Sequence, residues 1–322
     1  VNEDCRRQLA DLMTKHKMSP RAMAQTTLER AVGCAGIGLH SGRHIRLTLH
    51  PSDINSGIVF VRSDAPAGQG IIPARWYQVM DTRLCTQIGN IHGFAVGTIE
   101  HLMAALNGAG IDNAVVELDG PEVPILDGSS APWMSLIDTA GVAEQVAQRR
   151  MIQVLKPVMV REEDKWAVLK PAASRRFSVR IQFASPVIGE QFCALDLGPE
   201  SFGHAVARAR TFGFLEEVEH LRQLGLARGG SLANAVVIGG DQVLNPEGLR
   251  FSDEFVRHKT LDSVGDLYLA GAPILGTFHS YKPGHRLNHL LLRALLEQRD
   301  AWAFLEPEAQ VESWSRPLAA SA

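Results

Sequence analysis

The sequence predicts two similar domains, each mixing antiparallel strands with helices, packed about a shared cleft. Three observations carry that expectation. The chain has 322 residues with 45% hydrophobic and 21% charged content, enough for two cores at roughly 150 residues per domain. Alternating runs such as "HIRLTLH" and "GIVFVR", separated by the turn residues "HSGR" and "DINSG", have the period of antiparallel hairpins. The order of elements in the first half then recurs in the second, with little residue identity between them.

In chain order, residues 1–24 are a polar extension with no sign of chemistry, and Met23 is a candidate natural start. The first domain, 25–147, opens with the hairpins. It continues with the helix "TIEHLMAAL" (98–106), stopped by Asn107 and Gly108, the strand "NAVVELDG" and the helix "SAPWMSLIDTAG". A polar linker, "AEQVAQRR", leads to the second domain, 148–305. There "MIQVLKPVMV", "KWAVLKP" and "FSVRIQF" read as strands, followed by the helix "DEFVRHKTLDSVGDLYLAG", the strand "PILGTFHSY" and the helix "HRLNHLLLRALLEQ". Between these strands and helices lies an extra segment, about 211–245, with a helical "GFLEEVEHLRQLG" and an apolar strand "NAVVI"; inserts of this size often carry function. Residues 306–322 read as a flexible tail.

Net charge is −3 with no basic block, which argues against nucleic acid while leaving single lysines free to hold a phosphorylated small ligand. The four cysteines, Cys5, Cys34, Cys85 and Cys193, are scattered and form no C-x-x-C pair, which fits a reducing compartment better than a disulfide or zinc-ribbon scaffold. No apolar run approaches the 18 or so residues that span a bilayer, and the first twenty residues lack the apolar core of a signal peptide. The expectation is a soluble cytoplasmic protein.

The stretch "HKTLDSVGD" (258–266) places a histidine, a lysine and two aspartates in an otherwise apolar helix. Ser252 reads as the N-cap, with Asp253 and Glu254 in the first turn, where the helix dipole favours negative charge. His258, Asp262 and Asp266 are four apart and share one stripe beside Val256, Leu261, Val264 and Leu267. Either a cation compensates these carboxylates or that side of the helix is wet. If the halves are related by a pseudo-twofold, "TIEHLMAAL" brings His101 opposite His258. His101, His258 and Asp262 then form a two-imidazole, one-carboxylate set of the kind catalytic zinc uses. A lone H-x-x-x-D pair is more often a solvated helix pair, and a lone histidine more often a core residue. Glu100, beside His101, strengthens the metal reading, because a glutamate next to a ligand histidine commonly takes a proton from the attacking water. His285, at a loop leading into a helix, suits either proton donation or a capping role. Lys259 and Lys282 are candidates for phosphate, whereas Thr211 and Phe212 taken alone read as a turn residue and core packing.

Together, "GIGLHSG" (36–42), "TIEHLMAAL", "GIDNAVVELDGPEVPILDGSSAPW" (110–133), "RARTFGF" (208–214), "LNPEGLRFSDEFVRHKTLDSVGDLYL" (244–269) and "YKPGH" resemble the UDP-3-O-acyl-N-acetylglucosamine deacetylases of lipid A biosynthesis over roughly residues 26–300. The resemblance implies an α+β fold of two similar domains, each a mainly antiparallel sheet layered on helices, with the active site at their interface. It further implies a zinc-dependent amidohydrolase that removes acetyl from the glucosamine nitrogen. By motif, His101, His258 and Asp262 would be the metal ligands and Glu100 the general base. His285 would be the catalytic histidine, oriented by Asp266, and Thr211 would bind the oxyanion. Lys259, pointing away from the metal, and Lys282 would serve the nucleotide sugar. The insert would line an acyl passage with Phe212, Leu215, Val218, Ala227, Ser231, Ala235 and Val237, and Leu39 nearby. Arg228 stands in that segment where an apolar residue is expected. The implied partner is an acylated nucleotide sugar handled by a monomer, and the same ligand set suits iron as well as zinc. A catalytically silent sugar-binding protein and a zinc hydrolase of another amide are the competing classes. Loss of any of Glu100, His101, His258 or Asp262 would favour the first, and all are present; the apolar insert argues against the second.

Overall fold

The computed structural model describes residues 24–305, so the 1–23 portion of the expected extension and the 306–322 tail lie outside the described residues. The first half contains strands β1 (Ala24–Leu28), β2 (Val32–Ile37), β3 (His44–Pro51), β4 (Ile58–Arg62), β5 (Ile71–Pro73), β6 (Val79–Asp81), β7 (Gln87–Gly89) and β8 (Ala95–Val96). After these come helix α1 (Glu100–Ala109), strand β9 (Ala114–Leu118), helix α2 (Ala131–Ala140) and strand β10 (Val142–Gln148). The second half has β11 (Met151–Val154), β12 (Val158–Glu162), β13 (Lys165–Lys170), β14 (Arg175–Gln182), β15 (Glu190–Asp196), α3 (Pro199–Ala205), β16 (Phe212–Phe214), α4 (Leu215–Gln223), β17 (Val236–Gly239), β18 (Gln242–Val243), α5 (Glu254–Tyr268), β19 (Ile274–Tyr281), α6 (His285–Glu297) and β20 (Trp302–Leu305).

The repeated element order of the sequence corresponds to a repeated pairing pattern. In the first half the sheet runs β2-β3-β9-β4-β5, antiparallel except for the parallel pair β4 and β9. In the second half β12, β13, β19, β14 and β15 pair in the same succession, again antiparallel except for β14 with β19. Each half is thus a mainly antiparallel sheet layered on helices, which is the expected α+β class. α2 lies against the first sheet and α5 and α6 against the second, while α1 and α5 pack directly on each other and join the layers. The two apolar faces merge into one core that includes Leu47, Phe60, Leu102 and Trp133 from one half and Phe177, Phe255, Leu261 and Leu291 from the other.

Several local expectations change. β3 and β4 are not hairpin partners, because β9 inserts between them once α1 returns the chain to the sheet. The polar linker is mostly strand: β10 pairs antiparallel with β1 in a two-stranded ribbon, and its alternation is hard to see because only alanine and glutamine side chains mark the half-buried face. α1 continues past Asn107 and Gly108 to Ala109 and closes at Gly110, whose φ of 77° is the left-handed C-cap conformation. Asn107 stays helical because its amide donates to the Val264 carbonyl of α5 at 2.9 Å. Gly108 is required by Phe202, whose ring would lie 2.3 Å from any added Cβ.

The contact between α1 and α5 sets the site. Gly265 lets the backbones touch, since a Cβ there would fall 2.0 Å from the Glu100 carbonyl oxygen. Every residue of α1 from Glu100 to Gly108 is buried. A helix buried all round accepts polar side chains only where partners meet them.

Candidate active site

Glu100 and His101 occupy the first turn of α1, and the chain is bent sharply to put them there. Thr98 has φ +55°, a rare conformation for a β-branched residue. Its hydroxyl donates to Glu122 Oε1 at 2.9 Å, and the same carboxylate accepts the His40 and Ser41 amides, both at 2.9 Å. Glu122 therefore ties the "GLHSG" loop to the start of α1. Both ring nitrogens of His40 are buried without a hydrogen-bond partner among the described residues, and this ring is close enough to feel the charges of Glu122 and His285. The sequence reading singled out neither His40 nor Glu122 alone, although both lie in quoted motifs.

On α5 the N-cap position is Asp253, which makes no capping bond, so Ser252 is not the cap. Asp253 instead pairs with Arg257 one turn on at 2.5 Å. Glu254 does stand in the first turn, and it has a buried partner besides. Fully buried, it accepts the Arg210 backbone amide at 3.0 Å and the Arg210 Nε at 2.9 Å. This clamp fixes the 209–211 backbone. The Ala209 carbonyl accepts from His258 Nδ1 at 3.1 Å, and the Thr211 amide donates to Gly128 at 2.8 Å. The bond from Nδ1 sets the His258 tautomer so that Nε2 presents a lone pair.

His101, His258 and Asp262 converge. Asp262 Oδ1 lies 3.3 Å from His258 Nε2 and 3.6 Å from His101 Nε2, and one donor atom from each residue falls within 4.8 Å of the others. The two rings meet edge to face with centroids 4.9 Å apart. Asp262 Oδ1 is buried with no hydrogen-bond partner among the described residues, an arrangement that costs on the order of 1–3 kcal/mol unless something else binds the oxygen. Burial pushes His258 down to about 3, which keeps its imidazole neutral, as a ligand must be. For Asp262, burial alone would raise the carboxyl, but the charges facing it, the Lys259 ammonium at 2.9 Å among them, hold the group well below the usual carboxylate range. A neutral His258 imidazole, the nearby His101 Nε2 and an ionised Asp262 carboxylate whose Oδ1 has no partner among the described residues fit a divalent ion.

The carboxylate stripe is thus buried and compensated, not wet. Lys259 departs from the expected direction. It does not point away from these side chains, because its Nζ donates to Asp262 Oδ2 at 2.9 Å and sits 5.6 Å over the Phe212 ring. Asp266, one turn further, accepts three donors: His285 Nδ1 at 2.9 Å, Asn288 Nδ2 at 2.9 Å and Thr86 Oγ1 at 2.6 Å. His285 turns its other nitrogen, Nε2, toward Glu100, 3.8 Å from Oε1. Burial would lower His285, yet the Asp266 and Glu100 carboxylates raise it to about 9, so the ring is an imidazolium at neutral pH. Burial raises Glu100 above its ordinary value despite the neighbouring His285 and His101. A buried carboxyl and an imidazolium thus stand side by side, next to the His101, His258 and Asp262 trio.

The remaining expected residues lie further out. Lys282, at φ +54°, pairs with Asp164 at the surface. The insert is a compact unit in which β16 and β17 run parallel with α4 crossing between them, and β18 completes a three-stranded sheet. Phe212 packs edge to face on Phe255 and lies 6.2 Å from the His258 ring, linking the insert to the trio. Val237 and Ala227 are buried, Val218 and Ala235 half-buried, and Leu215 and Ser231 exposed. Leu39 reaches this unit from the first half, its carbonyl accepting the Gly229 amide at 3.0 Å. Arg228 is exposed and lies beside Gly42 and Gly225, so its charge stays in water. No helix among the described residues is long and apolar enough to cross a membrane.

Residues 25–297 match the family model described as UDP-3-O-acyl N-acetylglycosamine deacetylase. A protein of Shewanella sp. strain W3-18-1 named UDP-3-O-acyl-N-acetylglucosamine deacetylase is 48% identical over 301 residues, covering 92% of this chain and 98% of its own length. Proteins of the same name from Shewanella baltica strain OS155 and Shewanella sp. strain ANA-3 are each 48% identical over 290 residues, covering 89% of this chain and 94% of theirs.

Proposed function

Because the chain belongs to the UDP-3-O-acyl N-acetylglycosamine deacetylase family, we propose that the buried trio and its flanking acid–base pair carry out that family's hydrolysis here. The substrate is UDP-3-O-acyl-N-acetylglucosamine, the products are acetate and the free amine, and the step belongs to lipid A synthesis. The family implies a metal-dependent enzyme; we assign the metal as zinc, held by His101 Nε2, His258 Nε2 and Asp262 Oδ1. The observation that carries the assignment is the buried, partnerless Oδ1 of Asp262 between two histidine nitrogens. A bound divalent ion supplies Lewis-acid polarisation of the acetyl carbonyl and of the attacking water.

The residues then divide the proton work. Glu100 accepts a proton at Oε1 from the water that attacks the acetyl carbon. His285, kept cationic by Asp266, presents Nε2–H to the developing oxyanion and to the departing nitrogen, which leaves as an amine only when protonated. Thr211, held by the Gly128 and Val236 backbone bonds, donates its hydroxyl to the oxyanion. Lys259 neutralises Asp262 and borders the sugar site with Phe212, while Lys282 lies at its rim for the diphosphate. Phe212, Val218, Ala227, Ala235, Val237 and Leu39 form the acyl passage, with Leu215 and Ser231 at its mouth. The same reading divides the chain near residue 147 and places the enzyme in the cytoplasm, where nucleotide sugars are made.

Acetate release from UDP-3-O-acyl-N-acetylglucosamine, measured beside metal content, tests the proposal. One equivalent of divalent metal with turnover of this substrate is expected. A metal-replete protein that leaves the acetamide intact would contradict it.

A further inference from the structure

Thr86 precedes β7 in the first half, is buried, and has every polar group directed at the catalytic elements. Its backbone amide donates to Glu100 Oε2 at 3.1 Å, and its hydroxyl donates to Asp266 Oδ1 at 2.6 Å. Its carbonyl accepts the amide of Ile99, the residue at the N-cap of α1, at 3.4 Å. One residue thus engages the proposed general base on α1 and the partner of the catalytic histidine on α5.

We propose that Thr86 is a positioning residue that holds Glu100 and Asp266 in the orientations needed for proton transfer. The inference rests on the proposed acid–base roles of Glu100 and His285. The geometry gives the reason. With Oε2 of Glu100 bound to the Thr86 amide, the free Oε1 faces His285 Nε2 at 3.8 Å. With Oδ1 of Asp266 bound to the Thr86 hydroxyl, Oδ2 is left for His285 Nδ1 and Asn288. A carboxylate with one oxygen fixed cannot rotate about its terminal torsion, which otherwise has broad wells. Two groups that must meet the same reacting atoms within tenths of an ångström therefore share one reference point. Asn288 cannot take over this task, because it binds only Oδ2 of Asp266 and does not reach Glu100.

Thr86→Val keeps the shape and the backbone amide and deletes only the hydroxyl. Thr86→Ser restores the hydroxyl. The expected result for Thr86→Val is a fall in kcat of roughly 10- to 100-fold with KM and bound metal near wild type, consistent with one lost charge-assisted hydrogen bond. Thr86→Ser should recover kcat to within about threefold. In an Asp266→Asn background, Thr86→Val should cost less than about threefold, because the hydroxyl acts through the Asp266 charge. Wild-type kcat in Thr86→Val, a serine variant as slow as the valine variant, or full additivity with Asp266→Asn overturns the inference. Should wild type itself fail to release acetate, the proposed function falls instead, so the two failures are distinguishable.

Discussion

Asp266→Asn removes a charge while leaving the shape of the site, and its consequence can be worked from the His285 ring. His285 is almost fully buried, and burial alone would lower it below 6.5; the Asp266 carboxylate at 2.9 Å is the first of the groups that raise it to about 9. The interval between 6.5 and about 9 corresponds to about 3 kcal/mol favouring the imidazolium. Asparagine can still accept the Nδ1–H bond, so orientation survives while most of that preference goes. Near pH 7.5 a group titrating at about 9 is almost wholly protonated, whereas one at 6.5 is roughly one tenth protonated, so protonation alone costs about tenfold in kcat. The sign is set by the raised folded value. The stability that the charged pair contributes is complete below pH 6.5 and is lost as pH rises through about 9 in wild type. In the variant the alkaline limb of kcat should move down by about two pH units, with activity partly recovered in mildly acidic buffer. The assay is acetate release across pH with metal content followed in parallel. An alkaline limb that stays in place refutes the charge argument.

Three further outcomes follow from the same geometry. His101→Ala and Asp262→Ala should each lose metal and activity together, and chelation should inactivate the wild type until a divalent ion is returned; metal analysis showing full occupancy in either variant would remove that residue from the ligand set. Removing the 3-O-acyl group should lower kcat/KM by several orders of magnitude, because a buried chain contributes about 0.8 kcal/mol per methylene. Equal kcat/KM for the acylated and unacylated sugars would exclude the insert as an acyl passage. Gly265→Ala places a methyl 2.0 Å from the Glu100 carbonyl and must push α1 and α5 apart. Thermal denaturation should show a loss of about 2 kcal/mol or more, with activity lost at temperatures where the fold persists.

The parts legible in the sequence are those encoded by local periodicity. His258, Asp262 and Asp266 are four apart on α5, so their common face follows from helical geometry, and Glu100 follows from standing next to His101. The layered halves were legible because the same succession of strands and helices occurs twice. Thr86 and Asn288 carried no such signal. Thr86 lies in a loop 180 residues from the Asp266 it binds, and Asn288 in an amphipathic helix whose pattern explains it as packing. The direction of Lys259 was misjudged because spacing three residues from Asp262 permits either a contact or an outward turn, and only the burial of α5 decides it. Glu254 reads from sequence only as a first-turn acid, since its partner Arg210 is brought in by a segment 44 residues away. β10 escaped notice because a strand in a two-stranded ribbon with Val146 fully exposed has no strong apolar face.

In the proposed reaction Glu100 moves a proton beside a metal it does not hold, and kcat of Glu100→Gln measured on protein with quantified zinc isolates that role. Glutamine keeps the size of the side chain and an oxygen for the Thr86 amide while removing the basic carboxylate. One zinc per chain and a kcat lower by about 100-fold or more are expected. Turnover near wild type at full zinc occupancy, or a variant whose rate is restored simply by adding zinc, would contradict it.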